Sequence, residues 1–577
     1  MTQRQAAVSW PVESVRGRAS PENEMFAAVS DLASGLVRLV PLGGLGRIGM
    51  NCLAIEQADG IVVVDCGIGF SDDSLGVDVL HPDFSWLVER AERVRGVFLT
   101  HGHEDHVGAL PYLLDELDVP VWGPAHALAV ARRRLLEHDF APEDLDLRVA
   151  EIGRSHAVGS FEIEPVRVTH SVVEASALRI VTAGGTLLHT GDFNLDPDPP
   201  DGEPTDERRL ASIGDEGVAL MLSDSTNSDI PERFGSERGV GETVAALAES
   251  ATGAVVIAMF ASNIQRLITF GALAHRLGRK MLVLGRSLES QVQIATELRH
   301  LRWPSDLLLD AERAKNYPRD RLMVLAGGTQ AEPNSALRRL SLGVHPAFAL
   351  ERGDTVILSS RAIPGNERVV VEMQDDLLRQ GVALKNRITD PGVHTSGHAA
   401  QFEQLRMLEL VRPRCFLPVH GTLGHLMRHA RLAEEFGIGS VKVVEDGVPV
   451  LCDGDSLATE GRVQHGRVAV ALGGERLSEA TLKERADLAR NGVVVLALTL
   501  DRDGRSVSPP RVLARGVPAV TTTGLRTLER EAARALEVFR EGRGLPLDEF
   551  VRRAVRRKVE EISGTRTLVE VLASELD

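Results

Sequence analysis

Short apolar runs rich in β-branched residues follow one another closely from residue 36 onward. Turn residues, mostly glycine and aspartate, separate these runs, which predicts strands of one sheet system. The predicted strands cover residues 37–42, 51–56, 61–67, 96–100, 161–169, 178–183 and 186–191. Two helices are predicted among them, at 107–117 and 124–138.

The pattern changes near residue 238, where helical and strand segments begin to alternate regularly up to residue 380. This alternation is typical of a parallel sheet with helices on both faces. After residue 385 the short-strand pattern returns, with strands predicted at 415–420 and 440–446, so the second region interrupts the first. We therefore expect a flexible tail (1–35), a first domain in two parts (36–226 and 385–455), an inserted domain (227–384) and a C-terminal α/β domain (461–577).

Composition places the chain among globular proteins of several domains. It has 577 residues, of which 43% are hydrophobic and 25% charged. It holds no apolar run of about 20 residues that would cross a membrane, and residues 1–31 lack the pattern of a signal sequence, so we expect a cytoplasmic protein without a membrane partner. Four scattered cysteines form no C-x-x-C pair, which argues against a disulfide framework or a cysteine zinc site.

The net charge of −17 argues against a chain that coats nucleic acid with a general basic surface. A local basic channel stays possible. Two basic clusters are candidates, one at Arg132–Arg134 and one on a predicted late helix, and each is read either as a contact for RNA phosphates or as a solvated helix face. The late cluster consists of Arg552, Arg553, Arg556, Arg557 and Lys558.

Gly44, Gly46 and Gly49 form a G-x-G-x-x-G pattern directly after a predicted strand. This outline is typical of a dinucleotide-binding turn. However, the next predicted strand already begins at Ile61, which leaves too few residues for the helix of a right-handed crossover. We therefore expect a glycine-rich bend between antiparallel strands instead of a dinucleotide site.

The most informative segment is the run HGHEDH at 101–106, which lies where a predicted strand ends and a helix begins. A loop in this position can turn three imidazoles and a carboxylate towards one point. These are donors that Zn²⁺ and Mn²⁺ prefer, and two cations held ~3.5–4 Å apart by a bridging anion need about this many. A polar loop whose histidines occur by accident is the alternative.

The run matches the H-x-H-x-D-H signature of the metallo-β-lactamase superfamily, and the chain resembles that superfamily. Asp65, His170 and Asp192 each end a predicted strand, in the superfamily's order. The resemblance tightens to the β-CASP nucleases and in particular to the ribonuclease J family. The motifs that carry it are PLGGLGRIGMN (41–51), HGHEDHVGALPYLL (101–114), HTGDFNLD (189–196), DGEPTD (201–206), SDSTN (223–227), FASNIQR (260–266), GRS (285–287), IPGNE (363–367), HTSGHA (394–399) and LPVHG (417–421).

The resemblance implies an α/β fold in which a metallo-β-lactamase αββα sandwich carries an inserted parallel-sheet β-CASP domain and a small C-terminal α/β domain. It also implies two divalent metal ions per chain, with Zn²⁺ expected first and Mn²⁺ as the alternative. The implied ligands are His101, His103 and His170 for one ion and Asp105, His106 and His420 for the other, with Asp192 bridging. Asp65 is implied to orient a ligand imidazole.

The implied activity is hydrolysis of RNA phosphodiester bonds by a hydroxide that the two metals activate, so Asp105 and Asp192 are also expected to take part in catalysis. His398 stands where the family keeps a histidine that faces the scissile phosphate, and it could stabilise charge or protonate the leaving oxygen. Asp224 is expected to hydrogen-bond beside the metals, with an ordinary Asx turn as the alternative.

Four further residues are expected to hold substrate phosphates, because arginine offers paired donors and glycine permits close backbone approach. They are Arg286, Ser287, Ser396 and Gly397. Three places depart from the family's pattern, namely SVVEA at 171–175, Gln265 in place of a histidine and Ala400 in place of a serine. Because we place all three near the RNA end, we predict a weakened preference for 5′-monophosphate ends, which Ala400→Ser would strengthen.

The resemblance also implies single-stranded RNA as the partner in RNA maturation and decay, cut by a 5′-to-3′ exonuclease, an endonuclease or both. It implies a homodimer or homotetramer and a place in an RNA-degrading complex. Two rivals stay open. A small-molecule metallo-hydrolase would not need the inserted domain, and a drifted paralogue that binds RNA without cutting it is opposed by the seven intact ligands.

Overall fold

The computed structural model describes residues 32–69, 75–363, 365–502, 505–518, 520–539 and 545–575. The flexible tail predicted for 1–35 lies outside these residues apart from 32–35. None of the helices in the described ranges is long and apolar enough to span a membrane.

The first region alternates strands with short helices. Its strands are β1 (Val37–Gly43), β2 (Leu45–Gly46), β3 (Cys52–Gln57), β4 (Gly60–Val64), β5 (Val77–Pro82), β6 (Val94–Phe98), β7 (Val121–Gly123), β8 (Leu147–Val149), β9 (His156–Val158), β10 (Phe161–Arg167), β11 (Ser176–Thr182), β12 (Gly185–His189) and β13 (Leu220–Asp224). Its helices are α1 (Ser85–Val88), α2 (Glu104–Val107), α3 (Leu110–Leu114), α4 (Ala125–Glu137) and α5 (Glu207–Glu216).

The second region, between β13 and residue 400, is built on a parallel sheet. Its elements are α6 (Glu237–Ser250), β14 (Val255–Ala258), α7 (Ile264–Arg276), β15 (Lys280–Leu284), α8 (Arg286–Glu297), α9 (Ala311–Lys315), β16 (Leu322–Ala326), α10 (Ala336–Ser341), β17 (Thr355–Leu358), α11 (Glu367–Arg379) and β18 (Ala383–Lys385). The strands pair in the order β15-β16-β14-β17-β18, all parallel. The predicted βαβ alternation is therefore confirmed.

The remaining elements return to the first region and then form a terminal unit. They are α12 (Gln401–Val411), β19 (Cys415–Val419), β20 (Gly421–Thr422), α13 (Leu423–Phe436), β21 (Ser440–Val441), β22 (Val450–Cys452), β23 (Leu457–Thr459), β24 (Arg467–Ala471), β25 (Arg476–Leu477), α14 (Glu479–Asn491), β26 (Val493–Leu500), β27 (Arg511–Arg515), α15 (Thr522–Val538), α16 (Leu547–Ser563) and β28 (Leu568–Glu575). Short 3₁₀ turns lie at Ala91–Arg93, Pro142–Asp144, Arg319–Arg321 and Pro391–Val393.

Two large mixed sheets pack face to face. One has the order β23-β22-β1-β3-β4-β6-β7-β8 and the other β21-β19-β13-β12-β11-β10-β9. Fully buried side chains such as Leu39 and Ile55 of the first sheet meet Ile180 and Leu222 of the second. Helices α3 and α4 pack on the outer face of the first sheet, and α5 and α12 on that of the second, which gives an αββα sandwich.

The chain leaves this sandwich after β13 and returns to it next to β13. Strand β19 pairs parallel with β13, with Leu417 opposite Leu222, although the second region separates them in sequence. The terminal sheet has the order β27-β26-β28, and α15 and α16 pack on it around a separate apolar core that includes Leu496, Val551 and Val555.

The glycine pattern at 44–49 forms the bend that we predicted. Strands β1 and β3 are antiparallel, and Gly44 and Gly46 between them have φ values of +94° and +90°. No helix lies between Gly49 and Ile61.

Two predicted elements are wrong. The helix predicted at 107–117 is divided into α2 and α3, because Pro111 has no backbone N–H with which to continue it and the N–H of Ala109 donates to the carbonyl of Cys66 at 2.9 Å instead. The strand predicted at 440–446 keeps only the two residues of β21, Ser440 and Val441.

Candidate metal centre

The predicted ligands lie in loops that follow strands of the sandwich. The 101–106 run begins in the loop after β6 and continues into α2, which holds Asp105 and His106. His170 follows β10, Asp192 follows β12 and His420 follows β19. These loops meet at one edge of the sandwich. Nitrogen and oxygen atoms of His101, His103, His170 and Asp192 lie within 4.8 Å of one another, as do those of Asp105, His106, Asp192 and His420. These two groups match the ligand sets that the resemblance implied, and a third, overlapping group consists of Asp192, Asp224, His398 and His420.

The first group is held by close contacts between imidazoles. The Nδ1 atom of His103 lies 3.1 Å from Nε2 of His101 and 3.2 Å from Nε2 of His170. The Oδ2 atom of Asp192 lies 3.8 Å and 3.9 Å from the Nε2 atoms of His101 and His170. The ring nitrogens therefore converge on a point beside the Asp192 carboxylate.

The second group lies on the other side of the same carboxylate. Its Oδ2 is 3.2 Å from Nε2 of His106, and its Oδ1 is 2.8 Å from Nδ1 of His420. Asp105 Oδ2 is 3.4 Å from Nε2 of His420. Asp192 thus lies between the two groups, which is the position that a bridging ligand requires.

Hydrogen bonds fix the orientation of two of the imidazoles. The Nδ1 atom of His106 lies 2.7 Å from Oδ2 of Asp65, whose carboxylate also accepts the N–H and the hydroxyl of Thr100 at 2.8 Å each. The Nδ1 atom of His170 donates to the carbonyl of Gly397 at 2.7 Å. Each imidazole therefore presents Nε2 to the centre, and Asp65 takes the orienting position that we expected of it.

The backbone at the centre is strained in two ligand-bearing turns. Asp65 and His420 have φ values of +60° and +52°, which non-glycine residues rarely adopt. Gly67 lies so close to the 101–106 loop that a Cβ there would be 1.6 Å from the carbonyl oxygen of Asp105. The loop can approach β4 this closely only because residue 67 has no side chain.

The donors fit divalent cations. Burial, followed by neighbouring imidazoles, holds the pKa of His101 and His103 well below the ordinary range, and the pKa of His170 falls to about 4. These imidazoles are therefore neutral, as metal ligands must be. Both ring nitrogens of His420 are buried, and their contacts with Asp192 and Asp105 lack hydrogen-bond geometry. Buried polar atoms of this kind are costly unless a ligand satisfies them.

His398 and Asp224 form a pair beside this centre. The Nδ1 atom of His398 lies 2.8 Å from Oδ2 of Asp224 and 3.8 Å from Oδ2 of Asp192. Asp224 also accepts the N–H and the hydroxyl of Thr226, so it forms the Asx turn that we gave as the alternative and holds His398 as well. Against the effect of burial, the Asp224 carboxylate raises the pKa of His398.

The four residues predicted to hold phosphates are in two places. Ser396 is half-buried in the loop of His398, and its Oγ accepts the Nδ2–H of Asn227 at 2.9 Å. Gly397 packs against the His170 ring, because a Cβ at this position would lie only 3.0 Å from that ring. Its lack of a side chain therefore serves the packing of His170 as well as the approach of substrate. Arg286 and Ser287 are exposed in the first turn of α8, and no hydrogen bond or ion pair in the described part of the chain joins them to the centre.

Two of the departures from the family's pattern do not lie where we expected them. Ala400 is fully buried at the N-cap of α12, where its N–H donates to Glu403 Oε2 at 3.0 Å. Gln265 is also buried, and its Nε2 donates to Asp201 Oδ2 at 2.7 Å. Only the 171–175 segment reaches the centre, through Ser171 Oγ, which is 3.3 Å from Nε2 of His103.

Sequence reasoning missed three residues that support the centre. Asn51 Nδ2 lies 3.0 Å from Nε2 of His106, and Asn227 Nδ2 donates to the His398 carbonyl at 3.0 Å as well as to Ser396. Arg266 is completely buried, pairs with Glu237 at 2.9 Å and donates to the Thr395 carbonyl at 3.0 Å. All three are in motifs quoted above, but nothing in their residue types indicated these contacts.

The late basic cluster is largely paired within its own helix. Arg552 and Arg553 contact Glu549 at 2.9 and 2.7 Å, and Lys558 contacts Glu561 at 2.6 Å. These pairs favour the interpretation as a solvated helix face.

Comparisons with known families agree with this arrangement. The Metallo-beta-lactamase superfamily model matches residues 45–231, and the Ribonuclease J beta-CASP domain matches 252–377. The Zn-dependent metallo-hydrolase RNA specificity domain matches 391–444, and the Ribonuclease J C-terminal domain matches 480–576. The four matches follow one another along the chain.

Individual relatives cover most of the chain. Ribonuclease J of Synechocystis is 36% identical over 511 residues, which cover 87% of this chain and 79% of that protein. Ribonuclease J of Mycolicibacterium smegmatis is 38% identical over 84% of this chain and 87% of that protein. A crystal structure of a protein of unknown function from Enterococcus faecalis V583 matches with a TM-score of 0.51 and 15% identity over 72% of this chain and all of its own, which concerns the fold alone. The chain therefore belongs to the ribonuclease J family of metal-dependent ribonucleases, with a metallo-β-lactamase fold and a β-CASP domain.

Proposed function

We propose that this edge of the sandwich holds two divalent cations and hydrolyses phosphodiester bonds of single-stranded RNA. His101, His103 and His170 would hold one cation, and Asp105, His106 and His420 the other, with Asp192 between them. The observation that carries the proposal is the position of Asp192 between two groups of inward-facing donors. Imidazole and carboxylate donors serve both Zn²⁺ and Mn²⁺, and we propose Zn²⁺ first.

When bound, such cations supply acidification of water and neutralisation of the charge that grows on a phosphodiester. The protein's own contribution is the placement of protons. Because Nδ1 of His398 donates to Asp224, its Nε2 is free to face the substrate. Against the effect of burial, the Asp224 carboxylate raises the pKa of this imidazole, which favours its protonated form, so we assign Nε2–H as the proton donor to the leaving oxygen.

Ser396 is placed to bind the phosphate beside His398. Its Oγ accepts hydrogen bonds from Asn227 Nδ2 at 2.9 Å and from the His398 N–H at 3.2 Å. The hydroxyl proton is therefore left to donate to a phosphoryl oxygen. We assign Gly397 to positioning His170 as well as to substrate approach, and Arg286 and Ser287 to more distant phosphates of the strand.

Further parts of the proposal rest on family membership. We propose 5′-to-3′ exonuclease cleavage, endonuclease cleavage or both, in RNA maturation and decay in the cytoplasm. We also propose a homodimer or homotetramer that works within an RNA-degrading complex. The domain limits proposed are 36–226 with 385–455 for the sandwich, 227–384 for the β-CASP domain and 461–577 for the C-terminal domain.

The test combines metal analysis with RNA hydrolysis. Purified protein should contain about two divalent ions per chain and should cut end-labelled single-stranded RNA in the presence of Zn²⁺ or Mn²⁺. Parallel reactions with 5′-monophosphorylated and 5′-triphosphorylated RNA measure the end preference. Asp192→Ala should lose both metal and hydrolysis, because it contacts both groups, while its control Asp198→Ala, an exposed residue paired with Arg238, should keep both. Wild-type metal content and turnover in Asp192→Ala would contradict the two-metal proposal.

A further inference from the structure

Arg361 is an exposed arginine three residues after β17, close to the loop of His398. Its backbone is held in place, since its carbonyl accepts the Nε2–H of Gln330 at 3.0 Å. Two residues earlier, the carbonyl of Ser359 accepts a hydrogen bond from the buried Arg266. The side chain of Arg361 therefore starts from a fixed point of the inserted domain.

The guanidinium of Arg361 reaches the residues that face the substrate. Its Nη1 donates to Oδ1 of Asn227 at 3.4 Å. The same Asn227 donates through Nδ2 to Ser396 Oγ at 2.9 Å and to the His398 carbonyl at 3.0 Å. The Asn227 amide thus lies between the Arg361 guanidinium and the two residues that we propose to contact the scissile phosphate, Ser396 and His398.

Arg361 has no carboxylate partner among the described residues, although acidic side chains outnumber lysine and arginine by 82 to 65 in the chain. Other arginines of the same region are paired: Arg266 with Glu237 at 2.9 Å and Arg338 with Asp376 at 2.6 Å. A guanidinium has five N–H donors, and here one of them makes a long bond to a neutral amide. The remaining donors are available to a ligand.

The charge of Arg361 acts on His394, in the loop that leads to His398. Burial, and after it the charges of Arg266, Arg361 and Arg387, holds the pKa of His394 well below the ordinary range. Arg361 therefore adds a positive charge beside this loop, next to the carboxylate-rich centre. Its contact with Asn227, which also holds Ser396, places this charge on the Ser396 side of the centre.

We propose that Arg361 binds a phosphate of the RNA strand next to the scissile one, on the Ser396 side of the centre. This inference rests on the proposed function. Guanidinium binds phosphate through paired, charge-assisted hydrogen bonds, which are stronger than its present bond to Asn227. Arg361 is thus a substrate-binding residue that favours a continuous strand over a shorter fragment.

The alternative is that Arg361 only steadies Asn227. Glutamine at position 361 separates the two roles, because its amide can still donate to Asn227 Oδ1 but carries no charge. Lysine keeps the charge without the paired donors. Arg368 supplies the matched control, since it is an arginine of the same region with an 86% exposed side chain, 3.7 Å from Glu372.

The experiment measures binding of fluorescent single-stranded phosphorothioate RNA, which keeps the backbone charge and resists hydrolysis, to the metal-loaded full chain over a series of KCl concentrations. We expect Arg361→Gln to weaken binding about tenfold at low salt. The slope of log K against log [KCl] should become shallower by about 0.7, the value for one contact to a single strand. Arg361→Lys should keep the slope, and Arg368→Gln should match the wild type.

A wild-type slope in Arg361→Gln would overturn this inference and leave Arg361 as a partner of Asn227. Failure of the wild type itself to bind RNA would overturn the proposed function. The two failures are distinguishable, because in the first the wild type still binds RNA with normal salt dependence. Metal content, measured in parallel, should be the same in all four proteins.

Discussion

Asp192 contacts ring nitrogens of five histidines within 3.9 Å, so a single carboxylate connects both candidate metal groups with the substrate-facing His398. These histidines are His101, His106, His170, His398 and His420. Substitutions in the two candidate metal groups should therefore affect metal binding, whereas substitution of His398 should affect the chemical step.

His398 lies on the substrate side, so His398→Ala should separate proton transfer from metal binding. We expect unchanged metal content and a loss of roughly 10²–10⁴ in turnover, the usual contribution of a positioned acid. Elemental analysis and single-turnover RNA cleavage measure the two quantities, with His101→Ala as the control that loses metal. Loss of metal equal to that control would show that His398 is a ligand instead.

Asp446 gives a pH-dependent prediction away from the ligands. Burial raises its pKa to about 6, although it accepts the N–H of Leu45 at 2.9 Å and lies 2.9 Å from Nε of Arg47. The folded protein therefore binds this proton more tightly than the unfolded chain, whose carboxyl has a pKa of about 3.9. The free energy of unfolding should fall by on the order of 2–3 kcal/mol as the pH rises from about 4 to about 6, and then stay level.

Asp446→Asn should remove this contribution. Denaturant unfolding of both proteins between those pH values measures it, as a difference that grows in favour of the variant as the pH rises. Asp487→Asn, at an exposed position of α14, is the control for other carboxylates. A difference that stays constant with pH would mean that Asp446 ionises normally in the folded protein.

At the residue scale, the residues proposed from the sequence as ligands do lie together in the fold, whereas the roles of small residues could not be predicted. Histidine and aspartate at the spacing of 101–106 have few uses other than a metal. Ala400 and Gly397, in contrast, owe their roles to what packs against them, namely the N-terminus of α12 and the His170 ring. Such contacts depend on the tertiary structure, which residue type alone does not encode.

Helix α12 illustrates the element scale, because its first turn is capped from one side only. Glu403 accepts the N–H of Ala400, but alanine has no side-chain oxygen, so the N–H of Glu403 donates only to the Ala400 backbone carbonyl, at 3.0 Å. His398 lies two residues before Ala400, so the cap also affects the position of the His398 backbone.

Ala400→Ser should complete the capping box and raise the free energy of unfolding by about 1 kcal/mol. Because residue 400 is fully buried, we now expect no change in the ratio of 5′-monophosphate to 5′-hydroxyl cleavage, contrary to the expectation from the sequence. Denaturant unfolding and a competition between the two RNAs test the two parts. A stronger preference for monophosphate in the variant would restore the original assignment.

Elements were predictable where the local pattern and the tertiary structure agree. Most strands of the two large sheets follow from their apolar runs, and the parallel sheet follows from its alternation with helices. Strands β7, β8, β9, β13, β22 and β23 were not predicted from the sequence. The helix predicted at 107–117 failed at Pro111, where the apolar spacing continues but the backbone hydrogen bonds cannot. Strand β21 ends early because its last backbone hydrogen bond to β19 is from the N–H of Lys442 to the carbonyl of Phe416, and Val443 and Val444 pair with none of the described strands.

At the scale of the whole molecule, the centre joins segments that lie on both sides of the inserted region. Four candidate ligands lie between residues 101 and 106, two more follow at 170 and 192, and His420 comes after the insertion. Metal binding therefore stabilises the association of two separate stretches of the sandwich. The terminal unit has a core of its own and shares no residue with the centre.

Removal of metal should consequently destabilise one part of the molecule selectively. At a free metal concentration about a thousandfold above Kd, bound metal contributes about 4 kcal/mol. Calorimetry with and without a chelator should show a lowered Tm for the sandwich and an unchanged transition for residues 493–575. An equal shift of both transitions, or of neither, would contradict this assignment.

The late position of His420 also matters during synthesis. A ribosome adds about 5–20 residues per second, so roughly 15–60 s pass between translation of His101 and translation of His420, about 320 residues later. From translation of Asp192 until translation of His420, the nascent chain has all the donors of the first group but not those of the second. Until His420 is translated, the growing chain therefore lacks a donor of the second group, and we expect chains truncated before residue 420 to leave RNA intact.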